Sequence, residues 1–456
     1  MKARKKILKH FAVGAVLLGM LLTPLGMVKP VNAGAQPEKF KIGVILTLSG
    51  SMAAMGLLEK DGMEIALEDL NKNGGVMVQG KKRPIELIFF DDESSPKKAL
   101  DAAYNLINKE KVSVIVGVRM NAAIEAVQQL TEKKKVFCLV GVASYPGVYL
   151  GKKYGVLISD SGWTESMAAV RLLTEKPEIL KKHGISPDVD KRYDFSNKKL
   201  CYYGRDEIYC KYADLGVKEG LEKFGKKQGL KYAGGFMYPI GTPDVTPYVQ
   251  RMMANKPDII YHGLYIYEET LKLLRALKEM GYDYGPNGNL LIVNTNDDFN
   301  WGHVMDPLWK EGFNLEGNLS AGCDMPQKLA EKYPMRMEFI QKMQSKHKRM
   351  PGLLEDIGYD ELVMLAKAVE SADTLTDTDK IRDELLDLKF TGVRGPDQVF
   401  VTPETIPALG IYQEQIVLPQ YVRIVVGKNK TKYTGLKFRE SLYWGRGISA
   451  EELLIK

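Results

Sequence analysis

The chain runs to 456 residues, with 64 Lys and Arg against 57 Asp and Glu, a formal net charge of +7. Six of those charges (Lys2, Arg4, Lys5, Lys6, Lys9 and Lys29, with no acid among them) fall in residues 1–33, so the remainder carries 7 − 6 = +1. A near-neutral body without a long basic stripe argues against a nucleic-acid binder, and the 456 − 33 = 423 residues that follow are enough for two large lobes.

Residues 1–33 read as a secretory signal peptide: a basic start, an apolar run over 11–22, and Val31-Asn32-Ala33 offering small residues for cleavage after Ala33. The apolar run is shorter than the roughly 20 residues a spanning helix needs; the alternative is an uncleaved N-terminal anchor. The first cysteine is Cys138, so no lipid-attachment cysteine follows the signal. No second apolar run of spanning length occurs. The expectation is a soluble exported protein, periplasmic in location.

Residues 40–76 carry the most information. Ile42, Val44, Ile45, Leu46 and Leu48 predict a buried strand, Ser49-Gly50-Ser51 a small polar loop, and Met63, Ala66, Leu67 and Leu70 one face of an amphipathic helix. Asn73-Gly74-Gly75 ends that helix. Strand, loop and helix make a first βα unit, and such loops lie at the carboxyl ends of strands, where open α/β sheets bind ligands. The pattern continues with a strand over 84–92, a helix begun by Ser94-Ser95-Pro96, a strand over 112–118, a helix over 121–133 and a strand over 136–142. After Ser159-Asp160-Ser161-Gly162 it restarts: helix 165–176, then a Lys- and Asp-rich stretch over 181–199 that reads as a surface insertion. Strands follow over 200–203, 231–237, 258–264 and 290–293, with helices over 208–224, 245–254 and 268–280 between them. The chain is helical again from 333, including 359–371 and 379–388, and residues 410–437 read as β. Alternation of this kind implies parallel sheets with helices on both faces.

Enzyme and metal signatures are missing. The loop from Gly50 to Gly56 has neither GxGxxG nor a terminal GK[ST], there is no GxSxG or HExxH, and His10, His183, His262, His303 and His347 show no ligand spacing. No cofactor is expected. Cys201 and Cys210 could pair in an exported chain or remain free buried thiols; Cys138 and Cys323 complete the set.

The segments IGVILTLSG…MAAMG…GMEIALEDLNKNGGV, IELIFFDDESSPKKALDAAYNLI, PDIIYHGLYIYEETLKLLRALKEMG, GYDELVMLAKAVESA and IRDELLDLKFTGVRGP occur in that order. Together they resemble the periplasmic leucine/isoleucine/valine-binding proteins, the solute-binding components of branched-chain amino-acid ABC transporters, across almost the whole body. The resemblance implies a type I periplasmic binding fold: two doubly wound parallel-sheet α/β lobes joined by a three-crossover hinge and closing around a ligand. Lobe one is expected at 40–159 plus 323–406, lobe two at 160–322 plus 407–440, with a tail over 441–456.

The resemblance also assigns site residues. A ligand carboxylate would meet Asn121, which replaces the family's usual serine, and Ser144, where backbone N–H groups at helix starts favour an anion; a plain helix cap is the bland alternative for Ser144. The Val142 carbonyl would take a ligand ammonium. Arg119 stands at an apolar position of the family, facing the ligand side chain, where a guanidinium would meet a carboxylate unless it turned to solvent or to an acid of lobe two. Met55 replaces an aromatic residue and keeps the pocket partly apolar, with ordinary helix packing as its alternative. Tyr209 and Tyr265 would pack on the ligand from lobe two. Register picks Asn296, and charge Asp297, as the partner of an ammonium. Ser94 and Met120 occupy the places of the family's lobe-one disulfide. The implied function is capture of an amino acid or organic carboxylate for an ABC permease by lobe closure. The alternative is a sensor reporting its ligand to a membrane receptor or regulator.

Overall fold

A computed structural model describes residues 38–50, 52–141, 152–158, 162–182, 184–264, 267–295, 302–322, 330–401, 415–417 and 421–425. The apolar run after Lys39 forms β1 (Phe40–Leu46), and the amphipathic stretch forms α1 (Ala53–Lys72). A small hairpin, β2 (Val76–Val78) and β3 (Lys81–Arg83), leads to β4 (Ile85–Asp91). Next comes α2 (Pro96–Asn105), where Ser95 caps Lys98 N–H and Pro96 fills the first turn, as the sequence predicts. Then follow β5 (Val114–Gly117), α3 (Asn121–Lys134), β6 (Phe137–Val140) and β7 (Gly155–Leu157).

The second series comprises α4 (Gly162–Leu173), α5 (Pro177–Lys182), β8 (Lys199–Arg205), α6 (Ile208–Phe224), β9 (Lys231–Tyr238), α7 (Thr246–Met253), β10 (Ile259–His262), α8 (Tyr267–Glu279), β11 (Leu291–Asn294), α9 (Gly302–Lys310) and β12 (Leu319–Gly322). The chain then gives α10 (Pro334–His347), α11 (Leu353–Ala372), α12 (Thr378–Leu386), β13 (Lys389–Gly392), β14 (Gly395–Val401), β15 (Gln415–Val417) and β16 (Tyr421–Ile424).

Apart from the β2–β3 hairpin, the described strands sort into two sheets. The first runs β13-β14-β15-β7-β6-β5-β1-β4 and the second β16-β12-β11-β10-β8-β9. Five strands in each are mutually parallel: β4, β1, β5, β6 and β7 in the first, β9, β8, β10, β11 and β12 in the second. Counted by order of appearance, both parallel cores read 2-1-3-4-5, so each lobe is a doubly wound α/β unit. Val44, Leu46, Val116 and Leu139 face a core shared with α1 and α11, while Ile45, Ile115, Cys138 and Val140 face one shared with α2 and α3. The second sheet is likewise covered by α4 and α6 on one side and by α7, α8 and α9 on the other. The helices α1 and α11 meet backbone to backbone: a Cβ on Gly62 would overlap the Glu355 carbonyl, and one on Gly358 the Glu59 carbonyl.

Three details differ from the sequence reading. The stretch 181–199 is not a surface insertion. Ile185, Tyr193 and Phe195 are buried, and Arg192, paired with Asp190, donates to the Tyr284 carbonyl at 2.8 Å and the Glu316 carbonyl at 3.2 Å. Its charges look solvent-bound in sequence because their partners lie about a hundred residues away. Second, Cys138, Cys201 and Cys210 are free and buried, so the Cys201–Cys210 pairing is not made. Third, within the span 407–440 assigned from sequence to lobe two, β15 pairs with β7 in the first sheet and only β16 joins the second, beside β12. The chain changes sheets between β15 and β16. The signal-peptide reading falls in residues 1–37, outside the described residues.

Candidate functional site

In a 2-1-3-4-5 sheet the strand order reverses between the first and third strands, and the crevice above their carboxyl ends is the natural ligand position. In lobe one that point lies above β1 and β5; in lobe two, above β8 and β10. Met55, Arg119 and Asn121 lie beside the first, and Tyr209 lies beside the second.

The lobe-one edge is built by short-range hydrogen bonds. Asp91, at the end of β4, accepts from Leu48 N–H at 2.9 Å and Ser49 N–H at 3.2 Å; burial pushes its carboxyl up, but hydrogen bonds, first from the Ser49 side chain and then from the Glu93, Leu48 and Ser49 N–H groups, hold it below the usual carboxylate range. Thr47 donates to Asp92 at 2.7 Å, and Ser94 accepts from Met52 N–H at 3.2 Å. Ser94, one of the two positions where the family has its disulfide cysteine, thus ties the β1 loop by hydrogen bonds instead. Met55 is half-buried on α1 and packs against the first sheet's core. Asn121 opens α3, whose preceding residue Met120 supplies no side-chain cap, so the first-turn N–H groups of that helix suit an anion.

Arg119 leaves β5 through Gly117, whose φ of +98° favours glycine and whose Cβ would overlap the Ile45 carbonyl. Its side chain is 2% exposed and binds, through Nη1, the fully buried carboxylate of Glu59 on α1. The partner is therefore an acid of the same lobe, neither solvent nor a second-lobe acid. Among the described residues the Nε and Nη2 atoms of Arg119 and Oε1 of Glu59 have no hydrogen-bond partner. Burial raises the Glu59 carboxyl's pKa, and Arg119 works against that rise. Behind the pair lies Glu361 of α11, which accepts from Gly117 N–H at 3.4 Å; burial, then the charge of Glu59, pushes its pKa well above the ordinary range.

Glu59 and Glu361 are functional candidates that the sequence reading missed. A signal for Glu59 was present: positions 59, 63, 66 and 70 form one helical stripe, so an acid sits at the head of the apolar face formed by Met63, Ala66 and Leu70.

In lobe two, Tyr209 is half-buried at the start of α6, and its hydroxyl donates to Glu165 Oε2 at 2.8 Å. Glu165 is buried in the first turn of α4, a third acid absent from the sequence-derived site. Burial, then Glu165, pushes the Tyr209 pKa well up. His262 ends β10 fully buried, and burial depresses it to about 3, so it is neutral. Val142, Ser144, Tyr265, Asn296 and Asp297 lie outside the described residues. A separate hollow of about 540 Å³, lined by Tyr193, Phe195, Asn197 and Gln228, opens at the amino ends of β8 and β9, the opposite end from the crevice. Among the described residues no group of His, Cys, Asp and Glu is arranged for a metal ion, and no helix is long and apolar enough to cross a membrane.

Comparison with known proteins gives a consistent picture. Residues 39–406 match the family model described as periplasmic binding protein. A Leu/Ile/Val-binding protein of Rhizobium johnstonii is 24% identical over 239 residues, 52% of this chain and 58% of that one. The chain thus spans somewhat under two thirds of the length of such curated relatives. Among solved structures, a leucine-binding protein of Thermotoga maritima is similar with a TM-score of 0.61 and 23% identity, covering 85% of this chain and 96% of that one. A solute-binding protein of R. palustris in complex with 4-hydroxybenzoate is similar with a TM-score of 0.64 and 21% identity, covering 86% and 94%.

Proposed function

Because the chain belongs to the periplasmic binding protein family, we propose that it is an exported solute-binding protein that captures a small carboxylate ligand between two closing lobes and delivers it to an ABC importer. The observation that carries the ligand class is the guanidinium of Arg119, buried at the lobe-one switch point with its Nε–Nη2 edge unpartnered among the described residues. A buried donor pair of that shape is costly unless something accepts from it, and the Nε–Nη2 edge is a bidentate match for a carboxylate.

The ligand chemistry named for similar proteins supports the same class. Leucine, isoleucine and valine share a carboxylate with 4-hydroxybenzoate. On this reading the start of α3 at Asn121 and the hydroxyl of Ser144 share the carboxylate with Arg119. Met55, Tyr209 and Tyr265 line the rest of the pocket. Where the ligand has an ammonium, the Val142 carbonyl and either Asn296 or Asp297 receive it. Closure is driven by contacts that both lobes make only when shut.

The test is mass spectrometry of small molecules carried through purification, followed by thermal unfolding with leucine, isoleucine, benzoate and 4-hydroxybenzoate. A bound acid at 100 times its Kd stabilises by about 2.7 kcal/mol, which reads as a clear rise in melting temperature. The same compound as its amide gives no rise. A ligand that binds equally well with its carboxylate blocked overturns the reading.

A further inference from the structure

The groups behind the lobe-one crevice do not balance in charge. Glu59 of α1 and Glu361 of α11 are both fully buried, and one guanidinium, Arg119, lies with them. The other groups facing them add no free cation. Arg394, from the turn between β13 and β14, is fully buried and bonded through Nε to Asp360 at 3.2 Å. Asp92, after β4, is a third buried acid near Arg119: it accepts from Thr47 and from Ser94 N–H at 2.9 Å on Oδ1, and burial raises its pKa while those bonds and Arg119 work against the rise. The Cys138 thiol on β6 is pushed up to about 12 by burial, then by Glu361, and is neutral. What remains is more buried carboxyl groups than cations, with Glu59 and Glu361 close enough to raise one another, and in a water-poor interior two nearby carboxylates do not both stay ionised. Glu361 therefore keeps a proton, while Glu59 is ionised against Arg119.

The cluster is tied directly to the crevice. Gly117, at the carboxyl end of β5, donates its N–H to Glu361, and Arg119 follows two residues later. At the end of β6, a Cβ on Gly141 would come within 2.8 Å of Glu59 Oε1, so Glu59 lies directly against the residue that leads into 142–144. An anion arriving on the Nε–Nη2 edge of Arg119 shares the one guanidinium with Glu59. The set of Glu59, Arg119 and ligand carboxylate then carries −2 + 1 = −1. The least costly remedy in a desolvated site is a proton from solvent on the carboxylate that loses its hold on the cation.

We propose that capture of a carboxylate at Arg119 is coupled to proton uptake by Glu59, so that the protein binds its ligand more tightly as pH falls. The proposal rests on the carboxylate-capture reading above. The sign follows from linkage. The liganded state binds more protons than the free state, so affinity is highest at low pH and declines as pH rises, by up to about tenfold per pH unit where one full proton is exchanged. Glu59 acts as a positioning residue that aims Arg119, and it is also the group that absorbs the ligand's charge.

Isothermal titration with leucine and with 4-hydroxybenzoate, at pH 5.5, 7 and 8 and in two buffers of different ionisation enthalpy, tests this. For a probe that binds, the wild-type heat depends on the buffer in the direction of proton uptake, and the affinity falls with pH. In Glu59→Gln, which keeps an oxygen acceptor for Arg119, the buffer dependence and the pH dependence both collapse. Glu361→Gln, a stand-in for the protonated acid, leaves the uptake with Glu59 and provides a second variant should the first fail to fold. Binding without proton uptake, or uptake unchanged in Glu59→Gln, overturns the linkage and leaves the carboxylate reading standing. Failure of both probes at all three pH values overturns both.

Discussion

Tyr209 shows how a single side chain serves both packing and recognition. Its ring would collide with a Cβ on Gly162, at 2.8 Å from Cε2, so the small residue at the start of α4 lets the tyrosine lie close against that helix. Its hydroxyl reaches Glu165 two elements away. Tyr209→Phe keeps the apolar face and removes one donor from a buried carboxylate. The expected cost is about 1.5–3 kcal/mol of stability, read by chemical denaturation, with ligand affinity changed by less than about tenfold. A larger loss of affinity at unchanged stability would place the hydroxyl itself on the ligand. At this scale the sequence showed which residues depart from the family pattern, Arg119 and Asn121 among them, but not what they touch. The partner of Arg119 lies 60 positions earlier, and that of Tyr209 lies 44 earlier. Nothing in a single chain's local pattern encodes such pairings. Glu59 left a local trace as an acid in an apolar stripe, and so did Glu361, between Ile357 and Met364, Leu365 and Ala368, and Glu165, ahead of Ala168 and Ala169; the sequence reading passed over all three.

Among the elements, periodicity succeeded where strands are flanked by long helices and failed where they are short or late in the chain. The strands β1, β4, β5, β8 and β10 and the helices α1, α3, α6 and α8 were legible because an apolar run or a helical stripe defines each. The strands β7 (GVL), β12 (LSAG) and β13 (KFTG) mix glycine and polar residues into short runs, unlike the equally short β5 (VIVG) and β10 (IIYH), each opened by consecutive β-branched residues, and they form because neighbours supply the hydrogen bonds. The stretch 181–199 failed for a different reason. Composition says polar, yet the Asp190–Arg192 pair bolts the segment to the loops at 284–290 and 314–318. Tyr193 adds a bond to the Gly317 carbonyl at 2.9 Å. Removing one member of a buried pair strands the other, so Arg192→Ala is expected to cost about 3–5 kcal/mol. Replacing both, as Asp190→Ala with Arg192→Met, should cost less than the single change. Urea unfolding of the two variants decides it: a double variant weaker than the single would mean that the contacts to backbone carbonyls, not the charge balance, hold the segment.

The molecule as a whole repeats one arrangement, two 2-1-3-4-5 sheets, and joins them late. The strand β15 adds to the first sheet, and β16, a few residues on, adds to the second. Alternation of strand and helix made the two sheets readable, but the final crossing lies in a stretch whose sequence says only that it is extended. A chain ended after residue 406, the limit of the family match, loses a strand from each sheet. It is expected to melt at a lower temperature than the full chain and to gain less from ligand; an unchanged melting curve would show that β15 and β16 contribute nothing to either lobe.

The same crossing bears on the order in which the chain is made. All five parallel strands of the second sheet lie within residues 199–322, so that lobe is close to complete as a contiguous stretch emerges from the ribosome. The first lobe opens with β1 at residue 40 yet needs α11, which covers one face of its sheet, and β13 to β15 from the far end of the chain. Contacts of such separation form last. Synthesis therefore presents an N-terminal half whose lobe stays open until nearly everything has been translated. For a protein proposed to leave the cytoplasm as a thread, that delay keeps the leading segment free to enter the export channel before it can fold shut.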